Sequence, residues 1–278
     1  MSKYRLLAVD IDGTLVNRHD ELTPATREAI ARAQAHGIHV VLATGRRYRR
    51  ALPLVESLSG ALPLVTAAGA LIKRPADHRT LFRAEFAADV LSRVCRIVAR
   101  RGFEPILYAD TFDQGFDYYC RCIDVAQEEL AEFFQYNVDW HCLYPNLLDA
   151  PPSGVFAGFA MGTEPQMLAL MDELQAELPE ALYVHVLRSP RYRGYMCEIA
   201  PAGVDKWSGI RHVASLVGVA DDAICAVGDD VNDIPMIRGA GLGVAMGNAL
   251  PAVKAAADRV APCHNSDGLV AVVDWLLE

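Results

Sequence analysis

Five short apolar runs punctuate the chain: Leu6 to Asp10, Ile38 to Thr44, Leu62 to Thr66, Ala223 to Gly228 and Gly241 to Ala245. Each is continuous rather than alternating, the pattern of strands buried on both faces of a parallel sheet. Helical segments fall between them. The first is predicted from Pro24 to His36, with Thr23 as its N-cap, Pro24 in its first turn and Gly37 at its end. Strand–helix alternation predicts a doubly wound α/β core with a parallel sheet, whose ligands lie beyond the carboxyl ends of the strands.

The middle of the chain reads differently. Helix-like stretches run from Phe86 to Arg101 and from Glu164 to Leu178, and strand-like ones from Val155 to Met161 and Leu182 to Leu187. Irregular aromatic segments such as Tyr108 to Tyr119 lie among them, and Pro151-Pro152-Ser153-Gly154 signals a turn. The expected organisation is a core of residues 1–83 and 197–278, with an α+β domain of residues 84–196 inserted into it.

Composition narrows the function. The 278 residues are 52% apolar and carry a formal net charge of −9. Nucleic-acid binding needs a basic footprint to neutralise backbone phosphates. Here the basic runs are short, Arg46-Arg47-Tyr48-Arg49-Arg50 and Arg188 to Arg193, and read as solvated faces. The seven cysteines form no CxxC pair, so they read as reduced thiols. No apolar run of about 18 residues suits a membrane span. A cytoplasmic protein is expected, with no nucleic-acid or membrane partner, and a monomer is favoured over a dimer.

The chemistry follows the strands. In Asp10-Ile-Asp12-Gly13-Thr14-Leu15, side chains two apart on an extended segment face the same side, so Asp10 and Asp12 would both look into the crevice. Paired carboxylates call for a cation or a shared proton, and hard oxygen ligands favour magnesium. Thr44-Gly45-Arg46 ends the second strand, where a hydroxyl and free N–H groups could hold an anion or simply cap a helix. Gly228-Asp229-Asp230-Val231-Asn232-Asp233 follows the fourth run, with Asp229 and Asp233 four apart. Lys206 lies between these clusters and, taken alone, reads as a surface lysine.

Together, Asp10-x-Asp12-Gly-Thr, Thr44-Gly-Arg, Lys206 and Gly228-Asp229-Asp-x-Asn-Asp233 resemble the four ordered motifs of the haloacid dehalogenase superfamily. An insertion of about 110 residues between the second and third motifs is similar to the large caps of its Cof-type sugar phosphatases. Gly243 to Ala249 and Asp267-Gly268 also resemble that group. The resemblance implies a Rossmannoid core with a cap, and a magnesium-dependent phosphatase acting on a small phosphorylated metabolite, a sugar phosphate by default. Asp10 would be the nucleophile, forming an aspartyl-phosphate, and Asp12 the acid and base. Magnesium would be held by Asp10, the Asp12 carbonyl and Asp229, with Asp233 acting directly or from behind a ligand. Ile11, Thr44, Gly45, Lys206 and Asn232 would contact the phosphoryl group.

One departure is visible: where many such proteins carry Asn-Gly after the third strand, this chain has Ala67-Ala68-Gly69-Ala70. Substrate selectivity is expected from the cap, with Arg46, Arg188 and Arg191 as candidate contacts and Tyr118, Tyr119, Arg193 and Tyr195 beside them. His264 reads as an ordinary histidine. A phosphomutase of the same superfamily and a non-catalytic metabolite-binding protein remain open. A dinucleotide site does not, because Asp-Gly-Thr-Leu stands where GxGxxG would be required.

Overall fold

The computed structural model describes residues 3–58, 63–189 and 192–278; Leu62 and Arg191 lie outside them. The chain opens with β1 (Leu6–Asp10), α1 (Pro24–Ala35), β2 (His39–Ala43), α2 (Tyr48–Glu56), β3 (Leu64–Thr66), β4 (Leu71–Arg74) and β5 (Arg79–Arg83). The middle segment carries α3 (Ala88–Arg100), β6 (Ile106–Ala109), β7 (Tyr118–Cys120), α4 (Glu128–Asn137), β8 (His141–Leu143), β9 (Val155–Gly162), α5 (Glu164–Glu177), β10 (Leu182–Arg188) and β11 (Tyr195–Pro201). The last segment adds α6 (Lys206–Val217), β12 (Ile224–Gly228), α7 (Ile234–Gly239), β13 (Leu242–Ala245), α8 (Pro251–Ala256), β14 (Arg259–Val260) and α9 (Gly268–Leu277).

Two compact units result, one from residues 1–82 and 205–278 and the other from residues 83–204. The first holds a sheet of order β14-β13-β12-β1-β2-β3-β4-β5. It is parallel from β14 to β3, and β4 turns back antiparallel. Leu6 and Ala8 pack with Ile210 and Val213 of α6 and with Met236 and Ile237 of α7. Leu7 and Val9 point to the opposite face and are equally buried. Burial on both faces is why these runs are apolar without alternation. Thr23 caps α1 by accepting a hydrogen bond from Thr26 N at 3.1 Å.

The second unit is built on a sheet of order β10-β11-β9-β6-β7-β8, antiparallel except for the β7–β8 pair. Helices α3 and α5 cover one face through Val94, Val98, Met167 and Leu170. Helix α4, absent from the helices predicted above, brings Leu130, Phe133 and Phe134, spaced i, i+3 and i+4, against Tyr118 and Phe159. Residues 197–204, expected in the core, belong instead to this unit: β11 pairs with β10 and β9, and Cys197 and Ile199 are buried there. No helix among the described residues is long and apolar enough to cross a membrane.

Candidate active site

Strand order gathers the acidic residues. β1 lies between β12 and β2, with Val9 opposite Val227, so Asp10 and the residues after Gly228 leave the sheet side by side. Two glycines permit the closeness. Gly13 has φ +75°, and a Cβ there would lie 2.2 Å from Asp229 Oδ2. A Cβ at Gly228 would fall 2.4 Å from the Asp233 carboxyl carbon. Asp10, Asp229 and Asp233 thus each offer one oxygen, all within 4.8 Å of one another.

Lys206 stands among them. It opens α6, whose N-cap Asp205 accepts a hydrogen bond from Ser208 N at 2.7 Å. Its ammonium donates to Asp10 Oδ1 and Asp233 Oδ1, each at 2.7 Å, and to Asn232 Oδ1 at 3.2 Å. Only 2% of the residue is exposed, so the surface reading of Lys206 is wrong: packing of α6 against the sheet carries it inward. Burial opposes its charge, but Asp10 and Asp233 raise its pKa above the ordinary lysine value. Burial in turn pushes the Asp10 carboxyl well up; Lys206 works against this, while Asp233 and Asp229 reinforce it.

Asp233 has both oxygens engaged. Oδ1 takes Lys206, and Oδ2 accepts from the backbone N–H groups of Asp229 and Asp230 at 3.0 and 3.1 Å. It shapes the turn and orients the lysine. Asp229 differs: Oδ2 accepts from Asn248 Nδ2 at 3.0 Å, but Oδ1 is buried without a hydrogen-bond partner among the described residues. Burial, with Asp233 and Asp230 nearby, pushes its carboxyl up to about 7. Three carboxylates facing one ammonium leave excess negative charge, and an orphaned buried oxygen lies among them. That donor set fits a hard divalent cation.

Asn248 was not singled out in the sequence beyond its place in Gly243 to Ala249. It ties three segments together, donating to Asp229 and to Gly13 O and accepting from His264 N at 3.0 Å. The His264 backbone thus supports the site, and its ring takes no part in that contact.

Asp12 does not join the carboxylate cluster. Its side chain is 64% exposed and lies against Arg46, whose Nε and Nη2 reach its two oxygens at 2.9 and 2.6 Å. Arg46 also donates to Asp20, so its guanidinium is engaged by carboxylates of its own chain. Burial works against the arginine charge, and the bonds to Asp12 and Asp20 more than restore it. Thr44 is fully buried at the end of β2, its Oγ1 accepting from Arg46 N at 3.0 Å. Gly45 is exposed, Ile11 is buried, and α2 begins only at Tyr48. After β3 the chain turns through Ala67 and Ala68, at φ +47° and +52°.

Within the second unit, Tyr118 is fully buried and donates to Asn137 O at 2.9 Å, which makes it a core residue and removes it from the substrate candidates. Tyr119 packs edge-on against Phe116 and Tyr144. Arg193 is held by Glu128 and Glu132 of α4. Arg188 is exposed at the end of β10, paired in register with Tyr195.

Residues 7–273 match the family model described as haloacid dehalogenase-like hydrolase. The chain is 27% identical to the 5-amino-6-(5-phospho-D-ribitylamino)uracil phosphatase YbjI of Escherichia coli, over 99% of this chain and 96% of that protein. It is 26% identical to the phosphatase YitU of Bacillus subtilis, which bears the same description, over 96% of each. A haloacid dehalogenase-like hydrolase from Bacteroides thetaiotaomicron shares the fold with a TM-score of 0.79, at 24% identity over 98% of this chain and 99% of that one. The aspartate-first motif order, the buried lysine among carboxylates and the match along nearly the whole chain place this protein in the haloacid dehalogenase-like hydrolase family, as a phosphatase of the Cof type.

Proposed function

We propose that the protein is a magnesium-dependent phosphatase that hydrolyses a small phosphorylated metabolite through an aspartyl-phosphate on Asp10. The observation that carries this reading is the buried carboxylate cluster of Asp10, Asp229 and Asp233 around the Lys206 ammonium. A nucleophilic Asp10 must be ionised although burial disfavours the charge. Lys206, 2.7 Å away, supports the ionised form. An Asp10 oxygen attacks phosphorus in line, and the bond to the leaving oxygen breaks as the new P–O bond forms. Asp12 gives that oxygen a proton, then takes one from the water that cleaves the acyl phosphate.

A carboxylate meeting a phosphate oxyanion is repelled by about 4 kcal/mol per unit-charge pair at 4 Å in an effective dielectric of 20. Asp10, Asp229 and the Asp12 carbonyl would hold magnesium, which supplies charge neutralisation and orients the phosphoryl oxygens. Asp233 steadies the turn that presents Asp229. Thr44, Gly45, Lys206 and Asn232 are assigned to the phosphoryl oxygens.

The names of the YbjI and YitU relatives support a ribityl phosphate or a similar sugar or polyol phosphate as substrate. Selectivity is assigned to residues 83–204, and Arg188→Ala tests this by its effect on relative rates over a panel of such esters. The deciding measurement is phosphate release from p-nitrophenyl phosphate and that panel, with magnesium and with chelator. Magnesium-dependent release that disappears in Asp10→Asn is expected. A folded protein that releases no phosphate from any ester would overturn the reading.

A further inference from the structure

Asp12 is the exposed member of the motif carrying the chemistry, so burial does not fix its side chain. Among the described residues, its hydrogen bonds come from Arg46 alone, through Nε and Nη2. The same Nη2 donates to Asp20, and the Arg46 side chain is only 10% exposed between the two carboxylates. A guanidinium is a rigid plane, so a second carboxylate on one corner fixes the plane that the first must meet.

Asp20 is itself held in place. It sits at φ +63° inside a closed loop. Asn17 O accepts from Asp20 N at 3.0 Å, and Asn17 Oδ1 accepts from His19 N and Glu21 N at 2.8 and 3.2 Å. Asn265 Oδ1 anchors the loop by accepting from Arg18 N at 2.9 Å. Left-handed backbone is tolerated best by Gly, Asn and Asp, and of these only Asp adds a charge for Arg46.

The geometry points to Asp20 as a positioning residue that aims the Asp12 carboxyl at the leaving oxygen by locking the Arg46 guanidinium between the two carboxylates. Arg46 is accordingly part of the machinery of Asp12 rather than a contact for the substrate's leaving group. This rests on the phosphatase reading above, with Asp12 as the proton donor.

The test is Asp20→Asn, which keeps the size of the side chain and suits the left-handed backbone. Two esters of similar shape are compared, p-nitrophenyl phosphate and benzyl phosphate. Nitrophenolate departs without a proton, whereas a benzyl alkoxide needs one. The kcat/KM value reports the steps through departure of the leaving group, so it isolates proton donation from later hydrolysis of the aspartyl-phosphate. Asp20→Asn should lower kcat/KM for benzyl phosphate about 10-fold, a fraction of the 10²–10⁴-fold that a positioned acid supplies. For p-nitrophenyl phosphate the fall should be less than about threefold. Asp20→Gly, equally at ease in the left-handed region, should reproduce the split.

Equal falls for both esters would mean that the loop only supports the fold, and no fall for either would mean that Arg46 holds Asp12 unaided; each overturns the proposal. Asp12→Asn is the control for the underlying reading. If it shows no split between the esters, or if the wild type hydrolyses neither, the role of Asp12 fails and the role of Asp20 falls with it.

Discussion

Replacing Lys206 by methionine removes an ammonium that lies 2.7 Å from one oxygen of Asp10 and one of Asp233, at similar side-chain length. Each attraction is worth about 6 kcal/mol at an effective dielectric of 20, against which stands the desolvation of three buried charges. Breaking buried pairs by deleting one partner costs about 3–5 kcal/mol. That is the expected loss of unfolding free energy at pH 8 in chelator, read from urea transitions. The pH dependence has a definite sign. Burial already raises the Asp10 carboxyl, and without Lys206 it rises further. The native variant then binds more protons than the unfolded chain, whose carboxylates titrate near about 4, so stability falls as pH rises above that value. At lower pH the raised Asp10 carboxyl protonates more readily, and the loss at pH 5 should be smaller than at pH 8. Magnesium should restore part of the loss at pH 8, because a cation replaces a cation. A loss under about 1 kcal/mol at pH 8, or the same loss at both pH values, would refute the account of Lys206 as the charge that makes the cluster possible.

Gly13→Ala places a Cβ 2.2 Å from Asp229 Oδ2 on left-handed backbone; a loss of at least about 2 kcal/mol in urea, with phosphate release near background, is expected. Asn248→Ala frees the Asp229 carboxylate and the Gly13 carbonyl, and should weaken magnesium about 10–100-fold by calorimetry while leaving the chain folded. Because the Asp229 carboxyl is raised to about 7 without metal, the metal-free protein should lose stability as pH rises from about 4 to about 7. Over the same window below about 7, magnesium affinity should rise close to tenfold per pH unit, and titrations at pH 5.5, 6.5 and 8 would check both. Ala68→Asn replaces alanine at φ +52° by a residue suited to that backbone, and should add about 0.5–1 kcal/mol of stability in urea.

Much of the core was legible because its signals are local. A strand buried on both faces must be apolar throughout, and the residue that leaves it must be polar if it meets a ligand. Leu6 to Asp10, Ile38 to Thr44 and Ala223 to Gly228 therefore declared themselves, together with the acidic residues at the ends of the first and last and Thr44 at the end of the second. The second unit was only partly readable. Helix α4 and strands β6 and β7 meet through Ile106, Tyr118, Leu130 and Phe133; the apolar Leu130, Phe133 and Phe134 span little more than one helical turn, and strands of three or four residues are too short to show a period. Strand β11 was split at residue 197 for the same reason: its partners β9 and β10 are non-local.

The sequence by itself determined which groups are present: a pair of aspartates after the first strand, a threonine after the second, and an Asp-rich turn after a late one. Only the tertiary structure decided which groups meet and how deeply each is buried, because charge interactions depend on distance and burial and not on order along the chain. Lys206 taken alone reads as a surface residue, and the packing of α6 against the sheet sets it between Asp10 and Asp233. Asn248 is one polar residue among many until it bridges Asp229, Gly13 and His264. Asp12 and Asp10 are two residues apart, yet the chain leaves the Asp12 side chain exposed against Arg46 and Asp10 buried in the carboxylate cluster.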